Sequence, residues 1–122
     1  MSVSGVARVA LGTIRLVNGA VALTVPEQFA KRVGVDPDEN RPALYVMRLF
    51  GARTVLLGAD LLRGDGPERA HALRVAPLVH VSDTAAAALA GATGQLPAKA
   101  ARAATAISGV NVLLALLARR GA

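Results

Sequence analysis

The 122-residue chain reads as an all-α protein, an up-down-up-down bundle of four transmembrane helices with a short interfacial helix after the first. Three observations predict this. Four stretches of about 20 mostly apolar residues follow one another, the length needed to cross a hydrocarbon core. Short polar connections rich in Gly and Pro separate them, which favours antiparallel neighbours. Hydrophobic residues make up 53% of the chain and the mean hydropathy is +0.46, yet Tyr45, Phe29 and Phe50 are the only aromatics. Apolar content built from Ala, Leu and Val suits close-packed helices in lipid, although a soluble Ala-rich bundle shares that composition. The whole chain, 1–122, is one membrane domain with spans at about 5–25, 42–62, 69–90 and 98–118.

The first span is interrupted by Arg8, Arg15 and Asn18 and ends at Pro26, because proline cannot continue the hydrogen-bond ladder. Arg15 lies in its middle and no small-residue cleavage site follows, so the segment is a retained helix rather than a signal peptide. Residues 26–41 are polar. Pro26 and Glu27 look like a helix start, and Phe29, Ala30 and Val33 share one face, as in a short helix at a membrane surface. An ordinary loop capped at Gly34 is the alternative. The second span carries Arg48, Arg53 and Asp60, and the polar turn RGDGPE follows. The third holds Arg74, His80 and Asp83, with a kink expected at Pro77; it is the least hydrophobic of the four. The fourth ends on Arg119 and Arg120, where cations suit a helix C-terminus and a membrane interface.

The net charge is +6, with twelve Arg and two Lys. These cations are scattered singly, without stacking aromatics, which argues against nucleic acid. There is no cysteine, hence no disulfide or thiolate chemistry. No phosphate-binding loop, HExxH or metal-ligand cluster occurs, and Ser82 and Ser108 have no convincing base. The catalytic repertoire is thin, no cofactor or metal is implied, and a non-enzymatic role is preferred.

Ionisable residues inside spans are the informative feature, since a charge at the helix centre costs roughly 2.5–3.5 kcal/mol. The polar cluster comprises Arg15, Arg48, Arg53, Asp60, His80 and Asp83. Arg15 and Arg53 are expected opposite Asp83, with Asp60 near another arginine; His80 and Asp83, three apart, can touch directly. Gly12 and Gly19 form one small-residue stripe with Arg8 and Arg15, and Gly51 and Gly58 form a second. The cluster either fixes helix register or lines a polar cavity.

The segment RLFGARTVLLGADLL at 48–62, with Pro26, Gly34 and Asp83, resembles small four-helix bacterial membrane proteins of unknown function, similar in outline to the DoxX-like membrane proteins. The resemblance spans about residues 8–118 and implies a four-helix membrane bundle without an agreed activity. The Arg and Ala bias points to a GC-rich bacterial source. Three roles follow as expectations: an accessory or assembly partner in a larger membrane complex or a self-associating protein; a small-ligand or lipid binding or transport module using the Arg/Asp cluster; and a redox-associated membrane protein by analogy with DoxX-like proteins. The chain is expected in the bacterial cytoplasmic membrane, in contact with the bilayer. Cations divide evenly between the two faces, and the termini are placed on the cytoplasmic side.

Overall fold

The computed structural model describes residues 2–120. It contains five helices: α1 (Val3–Thr24), α2 (Pro26–Arg32), α3 (Arg41–Leu62), α4 (Pro67–Ala92) and α5 (Ala98–Arg119). Each boundary has a local cause. The Ser2 hydroxyl accepts a hydrogen bond from the Gly5 amide at 3.1 Å and caps α1. Pro26 and Pro67 occupy first helical positions and Pro42 a second, where a missing N–H costs nothing. Gly34 and Gly94 adopt φ of +83° and +76° after α2 and α4. At both, the following amide reaches back five residues, Val35 to the Ala30 carbonyl and Gln95 to the Ala90 carbonyl, each at 2.8 Å. This is the Schellman closure that glycine permits.

The four long helices form a ring in chain order. α1 packs most extensively on α3, α4 packs on α5, and α5 closes the ring against α1. The α3–α4 seam is the loose one. α1 and α4 face each other across the bundle, with no close backbone approach between them among the described residues. α2 packs on α1 and α3 at the end opposite the 63–66 turn.

The α1–α3 contact is backbone against backbone. A Cβ at Gly51 would lie 2.6 Å from the Leu23 amide nitrogen and 2.7 Å from the Gly19 carbonyl oxygen. A Cβ at Gly58 would lie 2.7 Å from the Leu16 nitrogen and 2.8 Å from the Gly12 oxygen. The two glycine stripes therefore interlock antiparallel, Gly12 with Gly58 and Gly19 with Gly51. Two arginines fasten the ends of the same pair. Arg8 of α1 donates to the Leu61 carbonyl at 2.6 Å, and Arg48 of α3 donates to the Leu23 carbonyl at 3.1 Å. Each helix thus satisfies a last-turn carbonyl of the other, where a cation also complements the helix dipole.

The apolar core occupies one end of the bundle. It is built from Ala7 and Leu11 of α1, Leu61 of α3, Leu73 and Ala76 of α4, and Ala115 of α5, among others. Elsewhere the outer faces are apolar, as at Leu56, Leu78, Leu89, Ile107 and Leu113.

Three helices are long and apolar enough to cross a membrane: α1, α4 and α5, with mean hydropathies of 1.4, 1.3 and 1.6. This corrects the sequence reading twice. Three helices rather than four meet the requirement, and the one that falls short is α3, not α4. Every spanning-length stretch of α3 contains both Arg48 and Arg53. In α4, 26 residues long, the stretch from Val75 to Ala92 holds only Asp83 as a formal charge. α4 also runs as one continuous helix through the buried Pro77.

Candidate functional site

Above the apolar core, the bundle interior turns polar at mid-height. Arg15 of α1 is its centre. The residue is only 7% exposed, although it carries a full charge. Its Nη1 lies 3.6 Å from Asp83 Oδ2, so the ion pair joins α1 to α4 across the bundle. Nη2 donates to the Thr54 hydroxyl of α3 at 3.4 Å. The guanidinium carbon sits 5.6 Å from the Phe50 ring centroid, within cation–π range. Phe50 in turn packs on Phe29 of α2, with centroids 5.9 Å apart. α2 is thereby tied to the site.

Both polar contacts of Arg15 are long. A charge-assisted N–H···O bond settles near 2.7–2.9 Å. The Arg15 Nε has no hydrogen-bond partner among the described residues. A guanidinium offers five donors, and this one is buried with most of its capacity unspent. That is an electrostatic invitation to an anion.

Space for one exists on both sides. A cavity of about 280 Å³ lies under α2, lined by Arg15, Asn18, Phe29, Arg32, Asp83 and Asn111 among others. A second, of about 400 Å³, opens between α3 and α4 and is lined by Arg15, Val46, Leu49, Arg53, Val79 and Asp83 among others. The two share Arg15, Phe50 and Asp83. They are near the lower end of the usual size of small-ligand sites, about 300–1,000 Å³.

The expected cluster is only partly assembled. Arg15 and Asp83 meet as anticipated. Arg53 reaches the same groove but is exposed and makes no hydrogen bond or ion pair among the described residues. Asp60 bonds Arg63 at 2.8 Å near the end of α3, an exposed pair outside the site. Such pairs contribute about 0–1 kcal/mol. Arg48 is an end cap for α1. His80 does not bond Asp83. It is fully buried, and neither ring nitrogen has a partner among the described residues. Asp83 has turned to Arg15 instead, because a guanidinium offers a charge that a neutral imidazole lacks.

Sequence reasoning missed Thr54, Asn18, Asn111 and the two phenylalanines. Thr54 was within reach of it: pairing Gly12 with Gly58 and Gly19 with Gly51 brings residue 54 level with Arg15 and Leu16. Arg8 was legible only as an interruption of the first span and a member of its small-residue stripe, whereas it fastens α1 to α3. No group of three or more His, Asp or Glu among the described residues could hold a metal ion. Comparisons with protein-family models, with curated proteins and with solved structures returned no match.

Proposed function

We propose that the chain is an integral protein of the bacterial cytoplasmic membrane that binds a small anionic amphiphile inside its bundle, with Arg15 as the anion-binding group. α1, α4 and α5 are apolar enough to span alone. α3 completes a four-span bundle because the glycine interface and its arginine caps join it to α1. About 33 Å of helix, from 22 residues at 1.5 Å each, matches the hydrocarbon thickness. The termini lie on the cytoplasmic side. The role is binding or transport rather than catalysis.

The observation that carries this reading is the unspent guanidinium of Arg15, buried between two cavities. A residue serving helix register alone would be fully bonded, since an unpaired buried polar atom is costly. The apolar lining, with Phe29, Phe50 and Ile107, suits the chain of an amphiphile, while Arg15 and Arg32 suit its anionic head. The accessory reading draws on the broad apolar outer faces, which fit a neighbouring subunit as well as lipid. No feature of the site carries the redox-associated role.

The test is a titration of the purified, reconstituted protein with dodecyl phosphate, against zwitterionic dodecyl phosphocholine. The native chain should bind the phosphate at one equivalent and prefer it at least about tenfold, the effect of one charged hydrogen bond. Arg15→Gln with Asp83→Asn, which keeps the local charge balanced, should abolish the preference while the helical content persists. Undiminished binding by that double variant refutes the proposal.

A further inference from the structure

Among the described residues, Arg53 is the one charge of the cluster without a hydrogen-bond or ion-pair partner. It stands nine residues before the end of α3, about 13 Å from that end and so near mid-span. Its side chain is exposed and lines the groove between α3 and α4. That groove lies at the loosest seam of the ring. Its walls are Val46, Leu49, Leu57 and Val79, and its floor is Arg15 with Asp83. The groove carries two guanidinium groups and one carboxylate, hence one net positive charge, at a depth where the surroundings are acyl chains.

We infer that this groove is a lateral doorway through which a membrane lipid with an anionic headgroup enters from the bilayer, Arg53 making first contact and Arg15 receiving the headgroup. The inference rests on the Arg15 reading above and specifies the source of the ligand. Three features point to lipid. An arginine on a lipid-facing surface draws headgroups and water inward, because snorkelling, local bilayer thinning and water defects lower the cost of its charge. The walls beside it are aliphatic, so they match an acyl chain rather than a hydrated ion. The groove shares Arg15, Phe50 and Asp83 with the cavity under α2. A lipid headgroup leaving the doorway therefore meets the guanidinium that already has spare donors. Asp83 sets the order of events: it holds Arg15 loosely at 3.6 Å and yields to an anion that bonds at closer range.

The chain has no tryptophan. Leu49→Trp therefore places a single indole on the groove wall, at a site already 43% exposed. The variant is incorporated singly into nanodiscs of neutral phosphatidylcholine. These hold equal minor fractions of either brominated phosphatidic acid or brominated phosphatidylcholine. The expected result is an association about tenfold stronger for the brominated phosphatidic acid. Arg53→Gln should remove that preference with helical content unchanged, since Arg53 has no partner to lose among the described residues. Millimolar inorganic phosphate should leave the quenching unaltered. Equal quenching by the two lipids overturns the inference, even where dodecyl phosphate still binds through Arg15 from the aqueous side. Reversal by inorganic phosphate overturns it in favour of free anions. An indole shielded from both lipids overturns it in favour of a protein occupant.

Discussion

Gly51→Ala and Gly109→Ala make the same chemical change in two helices and should have opposite consequences. At Gly51 the new Cβ would sit 2.6 Å from the Leu23 nitrogen, 2.7 Å from the Gly19 oxygen and 3.1 Å from the Ala22 carbonyl carbon. All three atoms are backbone, so no side chain can swing away. Ordinary contact begins near 3.5 Å, and α1 and α3 must separate by most of an ångström. Overpacking of this kind costs about 1–3 kcal/mol. The better helix propensity of Ala returns at most about 1 kcal/mol, leaving a net loss of about 0–2 kcal/mol. Separation also stretches the Arg48–Leu23 and Arg15–Thr54 bonds across the same interface, so the upper figure is expected. At Gly109 no atom lies within 4 Å of the added methyl. That variant should be as stable as the parent or more so, by up to about 1 kcal/mol. Equilibrium unfolding of both variants in mixed micelles, followed by far-ultraviolet circular dichroism, measures the two signs. A Gly51→Ala protein as stable as the parent refutes backbone contact between α1 and α3, and with it the route by which α3 is held among the apolar helices.

Other perturbations test the site and the membrane assignment. His80→Leu should stabilise the protein by about 1–3 kcal/mol in the same unfolding assay, because it removes two unpaired buried nitrogens; a loss would mean that the imidazole holds a water or ligand. Asp83→Ala should cost about 3 kcal/mol by leaving the Arg15 charge uncompensated, whereas Asp60→Ala should cost less than about 1 kcal/mol despite its shorter 2.8 Å pair. Equal losses for the two aspartates would argue that Arg15 is solvated independently. Carbonate washing of membranes should leave the native chain in the pellet, and release into the wash would disprove the integral assignment.

The sequence disclosed the elements well because their signals are local. Pro26, Pro42, Pro67, Gly34 and Gly94 mark helix ends by backbone geometry alone. The glycine stripes were legible because residues seven apart share a helix face, and both stripes found each other. Polar contacts were harder to read, since they depend on rotation about each helix axis. Asp83 could be matched with an arginine by charge, but not assigned to Arg15 rather than Arg53. His80 looked like a partner for Asp83 by spacing. That ring is buried without a bond, and the carboxylate follows the stronger field. The weak span was misplaced because α4 gathers three of its four charges, Glu68, Arg69 and Arg74, in its first eight residues, whereas α3 spreads four charges along its length. The cavities had no sequence signal, because one arises where the α3–α4 seam fails to close and the other where α2 covers the end of the bundle.

The exchange of caps between α1 and α3 bears on biogenesis. α3 is too charged to partition readily into lipid by itself, and its Arg48 finds its acceptor only at the far end of α1. α1, in turn, delivers Arg8 to a carbonyl that does not exist until α3 has been made. Neither helix is finished without the other, so in the membrane protein proposed above the pair is suited to leaving the insertion machinery as a hairpin rather than as two successive segments. A substitution that loosens the hairpin would then act first on yield and orientation during synthesis, before any effect on the folded protein could be measured.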